Sequence, residues 1–241
     1  MKIAILSTET LHHAYFVKAL KNIFSDITVY CETKSNTPPP FKTEHSFEVK
    51  RDIYECQRWF GNEQTKISEI TSVNEFTSMN DASAIASLEK ESVDIVIVFG
   101  TGVLKPPLIE IYSQRIFNLH GADPENYRGL DTHLWAIYHK DFGGLITTLH
   151  HLDTGLDTGD IVLQGAIPLH HNMKLHELRA ANTEVCVKLT ISVIDMMNRF
   201  GEVTSRSQYN KGRYYSVMPA ELKDTCQKRF ETYTMGLAHD S

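Results

Sequence analysis

An amide and an imidazole stand two residues apart in one apolar stretch of this sequence. Asn118 and His120 belong to the segment Ile116–Gly121, whose apolar neighbours predict a strand. Because side chains alternate between the faces of a strand, Asn118 and His120 project to the same side. An amide can donate a hydrogen bond to an oxyanion, and a histidine can transfer protons near neutral pH. The pair favours acyl transfer through a tetrahedral intermediate, with a structural histidine at a strand end as the alternative.

A duplicated Leu-Asp-Thr-Gly sequence supplies carboxylates that could act beside the histidine. The two copies, Leu152–Gly155 and Leu156–Gly159, predict a tight loop. The carboxylates in and next to this loop are those of Asp153, Asp157 and Asp160. A carboxylate beside a catalytic imidazole orients the ring and stabilises its protonated form. Spacing alone does not decide which aspartate meets the histidine, and a solvated turn is the alternative.

Covalent catalysis and metal binding are not predicted. No serine stands in a Gly-x-Ser-x-Gly setting, and the four cysteines are widely spaced with no Cys-x-x-Cys pair. Direct attack by a substrate amine is therefore favoured over an acyl-enzyme. The paired histidines at 12–13, 150–151 and 170–171 do not indicate a metal site, because adjacent side chains on a strand point to opposite faces.

Alternating strands and helices predict the elements that position these groups. The class is α/β, with a Rossmann-like, doubly wound and mostly parallel sheet. Strands are predicted at Lys2–Leu6, Ile27–Cys31, Phe47–Ile53 (an edge strand), Val93–Phe99, Arg115–His120 and Leu145–Leu152. Helices are predicted at Leu11–Ile23, Asn80–Ser92, Pro107–Ser113, Thr132–His139 and Leu175–Arg199, and a final helix follows the extended segment Gly212–Pro219. Ligands in such sheets bind at the carboxyl ends of the strands, where the Asn-x-His pair lies.

Two other parts of the chain have weaker patterns. The proline-rich tract Ser35–Pro40 predicts a loop, and Tyr54–Asn80 shows no clear periodicity. In the first helix we expect Tyr15, Leu20 and Ile23 to face inward. Beyond residue 200 the alternation of predicted strands and helices ends. We therefore predict a catalytic domain over residues 1–200 and a C-terminal extension over residues 201–241.

The composition limits the partners and the compartment. The 241 residues contain 24 Lys and Arg against 30 Asp and Glu, a net charge of −6, whereas binding to nucleic acid normally needs a basic face. No apolar run approaches the ~20 residues of a membrane helix, and Ile3–Leu6 is too brief for the core of a signal peptide. We expect a cytoplasmic protein with no nucleic-acid or membrane partner.

Taken together, the motifs resemble the formyltransferase superfamily that uses N10-formyltetrahydrofolate. The matching residues, in order, are Asn118–Gly121, Tyr127–Gly129, Trp135–Ala136 and Leu156–Asp160. Members include methionyl-tRNA formyltransferase, glycinamide ribonucleotide formyltransferase and the sugar-nucleotide N-formyltransferases. The resemblance covers residues 93–169 well and the N-terminal α/β region loosely.

The resemblance implies a role for each matched residue. It places the oxyanion-stabilising amide at Asn118, the general acid/base at His120 and the catalytic aspartate at Asp157, and we expect protonated His120 to help stabilise the oxyanion. N10-formyltetrahydrofolate is the implied co-substrate, with no metal. The implied folate site, built largely from backbone groups, comprises Phe99, Gly100, Thr101, Gly102, Val103, Leu104, Leu152, Asp153, Gly155 and Asp157.

The acceptor amine is predicted by comparing branches of the superfamily. The transfer RNA enzymes carry a C-terminal barrel and a basic surface, for which this chain is too short and too acidic. The purine-pathway enzyme has a glycine-rich phosphate loop where this chain has Ser7–Thr10. Tyr127–Trp135 and Gly212–Ser216 are similar to the short bacterial sugar-nucleotide N-formyltransferases. The predicted substrate is thus a nucleotide-linked amino-dideoxy sugar, such as dTDP-4-amino-4,6-dideoxyglucose, for O-antigen or other surface polysaccharide.

Arginine and lysine bind diphosphates and aromatic rings bind nucleobases. The predicted substrate-binding residues are Tyr127, Arg128, Gly129, His133, Trp135, Lys211, Arg213, Tyr214 and Tyr215. Packing of the tyrosines against the core is the alternative. A homodimer through the C-terminal extension is expected from the same resemblance. Other acceptor amines (GDP-perosamine, glycinamide ribonucleotide or methionyl-tRNA), a formyltetrahydrofolate hydrolase and a catalytically silent binding module are the remaining alternatives.

Overall fold

Continuous apolar runs form the central strands of the molecule. In the computed structural model, which describes residues 1–34 and 38–238, every residue of the first and fourth strands is buried. Such burial on both faces is typical of a parallel sheet covered by helices. The strands are β1 (Ile3–Ser7), β2 (Ile27–Glu32), β3 (Val73–Phe76), β4 (Ile95–Phe99), β5 (Ile116–Gly121), β6 (Tyr127–Gly129), β7 (Ile146–His151), β8 (Ile161–Ala166) and β9 (Arg213–Tyr215).

Seven of these strands form one sheet in the order β3-β2-β1-β4-β5-β7-β8. β1 to β5 are paired in parallel, whereas β7 and β8 are antiparallel to their neighbours. β6 and β9 form a separate parallel pair. The predicted α/β, Rossmann-like and mostly parallel sheet is confirmed. Strand order reverses between β1 and β4, and such a reversal opens a crevice at the carboxyl ends of the strands.

Helices cover both faces of this sheet. They are α1 (Leu11–Lys21), α2 (Ser46–Phe60), α3 (Ile67–Ile70), α4 (Ala82–Glu91), α5 (Pro106–Ile111), α6 (Thr132–Tyr138), α7 (Leu178–Phe200) and α8 (Ala220–Met235). Short 3-10 turns occupy Phe142–Gly144 and Leu175–Glu177. Phe16 of α1 and Val193 of α7 belong to the core on one face, and Leu88 of α4 and Leu108 of α5 belong to the core on the other.

A third buried cluster attaches the C-terminal segment. Ala136 and Ile137 of α6 pack with Met218, Cys226 and Phe230, the last two on α8. Because β9 also pairs with β6, the C-terminal segment is held against the chain that follows β5. Within the described residues, no helix combines the length and apolar character needed to cross a bilayer.

The predicted edge strand at Phe47–Ile53 is wrong, because this segment is part of helix α2. The His45 side chain accepts a hydrogen bond from the Phe47 N–H group, and Glu48 accepts one from the His45 N–H group, a capping box that starts a helix. Gly61, in the left-handed conformation, ends it. The apolar pattern misled the prediction because Val49 and Ile53 face solvent.

The remaining differences between the predicted and the observed structure lie at buried polar groups and at the ends of helices. Glu55 of α2 is fully buried because Arg179 of α7 binds both of its oxygens, at 2.7 and 2.6 Å. Ile23 does not face inward; it lies beyond the end of α1 and is 56% exposed. In the predicted loop Ser35–Pro40, residues 35–37 lie outside the described residues, and residues 38–40 have no regular structure. The strands β3, β6 and β8 were not predicted.

Candidate active site

The carboxyl ends of β4 and β5 form one wall of a cavity of about 530 Å³. Asn118 and His120 both face this cavity from β5, as strand alternation predicts. Asn118 is half-buried and His120 is buried. The β4 end is followed by the loop Gly100–Leu104, which lines the same cavity. The expected location at the carboxyl edge of the sheet is thus where the structure places the pair.

The loop after β7 brings Asp157, and not Asp153, to His120. The Asp157 carboxylate lies 3.6 Å from His120 Nδ1 and accepts a hydrogen bond of 2.9 Å from the Gly129 N–H group. Asp157 has a left-handed backbone (φ 52°), which turns its side chain into the cavity. Asp153 instead accepts hydrogen bonds from the Gly155 N–H group and the Thr158 hydroxyl within its own loop. Asp157 in the second copy of the repeat is therefore the candidate for a catalytic role, whereas Asp153 in the first copy stabilises its own loop.

A fourth residue, His150, completes the cluster and was not predicted as a site residue. Its Nε2 atom lies 3.2 Å from Asn118 Nδ2 and 3.8 Å from Asp157 Oδ1. His150 stands opposite Asn118 in the β5–β7 register. The sequence signal was the pair His150–His151 at the end of a strand, but its partner strand is set only by the antiparallel pairing. Side chains directly opposite in such a pair are neighbours.

Backbone carbonyls determine which ring nitrogens are free. His120 Nε2 donates to the Tyr127 carbonyl at 2.8 Å, so its Nδ1 carries the lone pair that faces Asp157. His150 Nδ1 donates to the His151 carbonyl at 2.7 Å, so its Nε2 accepts a hydrogen bond from the Asn118 amide. An amide nitrogen has two N–H groups. The second N–H of Asn118 has no partner among the described residues and is available to a ligand.

Burial and charge set the protonation states. Burial lowers the pKa of His120, and the nearby Asp157 carboxylate only partly offsets this effect. Burial alone would raise the pKa of Asp157, but the neighbouring rings of His150 and His120 and the hydrogen bond from the Gly129 N–H group together lower it to about 2. The site at neutral pH therefore holds a carboxylate beside a neutral imidazole. Desolvation disfavours the imidazolium in the resting site, so the protonated His120 expected at the oxyanion stays a prediction for the reacting complex.

We expect NMR titration of the His120 imidazole to give a midpoint below 6.5, because burial lowers the pKa of this ring from its ordinary value. In Asp157→Asn the midpoint should fall further, because the carboxylate that favours the imidazolium is lost. Imidazole signals are assigned by their loss in His120→Asn. A midpoint at or above 6.5, or a rise in Asp157→Asn, would contradict this assignment of the charges.

Nine of the ten predicted folate-binding residues line the cavity. These are Phe99, Gly100, Thr101, Gly102, Val103, Leu104, Leu152, Gly155 and Asp157. Asp153 is the exception, since its carboxylate is turned into its own loop. The Leu104 N–H and carbonyl groups make no hydrogen bond to described residues and lie on the cavity wall. The loop thus offers a ligand a backbone donor and an acceptor.

The predicted substrate-binding residues fall into two groups. Gly129 and Tyr214 line the catalytic cavity, and Tyr214 is 55% exposed. Arg128 is buried, and its guanidinium donates to the carbonyls of Gly212 and Leu156. The others do not line the cavity. Tyr127 is buried, and the Trp135 ring stacks on Tyr215 and donates to the Ser216 carbonyl. Lys211 and Arg213 are exposed. The ninth, His133, lines a different cavity.

This second cavity, of about 220 Å³, shares His12, Phe99, Asp131 and Thr132 with the first. It extends between α2, α6 and α7, and its charged and polar lining includes Glu48, Arg51, His133, Arg179 and Asn182 besides the shared Asp131. Within the described residues, no cluster of three or more His, Cys, Asp or Glu side chains has the arrangement of a metal site. The two cavities adjoin at the four residues they share, whereas Asn118, His120 and Asp157 line only the first.

Comparison with known proteins identifies the class to which this fold and site belong. The model of the formyl transferase family matches residues 1–194, so the chain belongs to this family. Among curated relatives, methionyl-tRNA formyltransferase of Clostridium beijerinckii is 27% identical over 143 residues, which is 59% of this chain and 46% of the relative. That of Clostridium tetani is 32% identical over 117 residues, or 48% of this chain and 37% of the relative. The match thus spans less than half of these relatives.

Solved structures share the fold. The formyltransferase PseJ from Anoxybacillus kamchatkensis, solved with UDP-4,6-dideoxy-4-formamido-L-AltNAc and tetrahydrofolate, superposes with a TM-score of 0.54 at 22% identity, over 90% of this chain and 86% of that one. An N-formyltransferase from Helicobacter canadensis, solved with folinic acid and dTDP-3-aminofucose, gives 0.55 at 17% identity, over 90% and 71%. The predicted superfamily is confirmed by the family match.

Proposed function

We propose that this protein transfers a formyl group from N10-formyltetrahydrofolate to the amino group of a nucleotide-linked amino-dideoxy sugar. The observation that carries the proposal is that Asn118, His120 and Asp157 line one cavity, to which a second cavity is joined by four shared residues. One cavity is lined by the loop with free backbone groups, which suits a flat heterocycle such as a pterin. The other is lined by two arginines and two carboxylates, and the guanidinium groups of Arg51 and Arg179 suit a diphosphate.

His120 is the proposed base. As the neutral amine attacks the formyl carbon and the new C–N bond forms, His120 Nδ1 takes the amine proton. The resulting imidazolium lies beside the Asp157 carboxylate, which stabilises its charge. The free N–H of Asn118 donates to the oxyanion. When the bond between the formyl carbon and N10 breaks, His120 returns the proton to N10, and the products are a formamide and tetrahydrofolate.

The second cavity is the proposed entry for the acceptor. Arg179 and Arg51 present guanidinium N–H groups there, and ion pairs of 2.6 Å to Glu55 and 3.0 Å to Asp52 fix their positions and balance their charges. His133 Nε2 donates to the Ile146 carbonyl at 2.7 Å, and burial lowers its pKa to about 4. Its Nδ1 is therefore a permanent acceptor for a hydroxyl or amine. Tyr214, exposed at the first cavity, offers a ring face to a ligand.

The nucleotide is proposed to be dTDP, with a 4-amino-4,6-dideoxyglucose or a similar sugar that serves O-antigen or surface polysaccharide synthesis. The complexes of PseJ and the Helicobacter canadensis protein contain UDP- and dTDP-linked sugars respectively. They support a sugar nucleotide as the acceptor class. The choice of the dTDP nucleotide over UDP rests on the sequence prediction above.

We expect formyltetrahydrofolate to be consumed only when an amino-sugar nucleotide is present. Formation of tetrahydrofolate is followed with dTDP-, UDP- and GDP-linked amino sugars, glycinamide ribonucleotide and methionyl-tRNA as acceptors. A thermal-shift screen of dTDP, UDP, GDP and UMP runs in parallel, and stabilisation by dTDP is expected because a bound ligand stabilises the folded state. Formate release without an amine would instead indicate a hydrolase. Turnover with methionyl-tRNA alone would overturn the proposed acceptor.

A further inference from the structure

A buried carboxylate joins two loops behind the catalytic cavity. Glu32, at the end of β2, is 8% exposed. Its Oε1 atom accepts a hydrogen bond of 3.0 Å from the Gly102 N–H group. Its Oε2 atom accepts bonds of 2.9 Å from the Met79 N–H group and 3.3 Å from the Ser78 hydroxyl. A buried carboxylate is costly unless donors of this kind surround it, so both loops are tied to one site.

A neighbouring amide holds the other half of the same loop. Asn80 Nδ2 donates to the Val103 carbonyl at 3.0 Å, and Asn80 Oδ1 accepts from the Lys105 N–H group at 2.7 Å. The loop also approaches Glu32 closely, since a Cβ atom on Gly102 would lie 2.9 Å from Glu32 Oε1. Two side chains from outside the loop therefore bond to backbone groups at three of its positions.

Neither Glu32 nor Asn80 lines the cavity, whereas residues 100–104 all do. Glu32 and Asn80 therefore bind backbone groups of the loop from outside the cavity. Leu104, whose N–H and carbonyl groups make no hydrogen bond to described residues, lines the cavity. A loop that is ordered before a ligand arrives binds more tightly, because the cost of ordering it is already met.

We propose that Glu32 and Asn80 are positioning residues that set the affinity for the folate co-substrate by fixing the backbone of residues 100–105. This inference rests on the proposed function, which assigns the loop to folate. Glu32 and Asn80 belong to none of the sequence motifs, because they affect folate affinity only through the backbone of another loop.

The test compares Glu32→Gln and Asn80→Ala with Glu75→Gln as a matched control. Glu75 is an exposed carboxylate on the adjacent strand β3. Glutamine at position 32 keeps the size but can accept from only one of the two backbone N–H groups. The dissociation constant for 5-formyltetrahydrofolate, measured by titration calorimetry, should rise about tenfold in each test variant. This is the order expected for one lost hydrogen bond to a charged group in Glu32→Gln and for two lost neutral hydrogen bonds in Asn80→Ala. Glu75→Gln should bind as the wild type does.

Two further readouts separate positioning from general destabilisation. Hydrogen exchange should become faster at residues 100–105 and stay unchanged in α7. With an acceptor that the wild type uses, the KM for formyltetrahydrofolate should rise while kcat stays within about twofold. If Glu32→Gln fails to fold, Asn80→Ala alone decides.

Wild-type affinity in folded Glu32→Gln and Asn80→Ala would overturn the inference while leaving the proposed function intact. A wild-type protein that does not bind 5-formyltetrahydrofolate would overturn the proposed function, and the inference with it. A fall in kcat without a change in the folate dissociation constant would place these residues in the chemical step and also contradict their assignment.

Discussion

Replacing His120 with asparagine is expected to lower kcat by about two to four orders of magnitude, the range typical of a general base. The variant cannot take the proton from the attacking amine at the position of Nδ1, which lies 3.6 Å from the Asp157 carboxylate. Substrate binding should change much less, because the ring contributes one wall of a large cavity. Rapid-mix measurement of a single turnover isolates the chemical step from product release.

A loss of protein stability in the His120 variants must be measured separately from the loss of kcat. His120 is buried and donates to the Tyr127 carbonyl at 2.8 Å. A shorter side chain leaves that carbonyl without its donor, at a cost of about 1–3 kcal/mol. His120→Gln can restore the donor through its longer amide but still cannot act as a base. Both variants should lose activity alike and differ in melting temperature.

The matched control is His170→Asn, which changes an exposed histidine outside both cavities. It should leave kcat within about twofold of the wild type. If folded His120→Gln kept more than a tenth of the wild-type kcat, His120 would be a structural histidine and not the base.

Replacing Asp157 with asparagine should also lower kcat by about two to four orders of magnitude, because the imidazolium formed at His120 would lose its counter-charge. The substitution preserves size, and asparagine tolerates the left-handed backbone at this position (φ 52°). The Gly129 N–H group can still donate to the amide oxygen. The loss therefore reports the charge and not the shape of the loop.

The duplicated sequence provides the control for this second experiment. Asp153→Asn makes the same chemical change four residues earlier, where the carboxylate accepts from the Gly155 N–H group and the Thr158 hydroxyl. An amide oxygen can retain the first contact, so kcat should stay within about threefold. Inactive Asp153→Asn together with fully active Asp157→Asn would reverse the assignment within the repeat.

Much of the fold could be predicted because local patterns and tertiary packing agree there. The apolar runs of β1 and β4 are buried on both faces, and residues 80–81 mark the start of α4, whose N-cap is Asp81. Prediction failed at α2, where charges at Glu55 and Arg179 pair inside the protein. Because the inner face carries Glu55 while Val49 and Ile53 lie on the exposed face, the apolar residues of this segment do not mark its inner face.

The catalytic constellation could be predicted in part. Asn118 and His120 are two residues apart on one strand, so alternation alone puts them side by side. Asp157 required the family resemblance to choose it over Asp153, and the loop contacts now supply a physical reason for that choice. His150 could not be found, because it meets Asn118 across an antiparallel strand pair whose register the sequence does not reveal.

The sequence by itself determined the class of the sheet, the shared orientation of the Asn-x-His pair and the family to which they belong, because these depend on short-range periodicity and on a spaced motif. The tertiary structure decided the rest: which nitrogen of His120 faces Asp157, that His150 joins them, and that a second cavity adjoins the first at His12, Phe99, Asp131 and Thr132. Each of these depends on groups distant in the chain being brought within a few ångströms. Hydrogen bonding and desolvation, which set the protonation states, exist only once those groups are packed together.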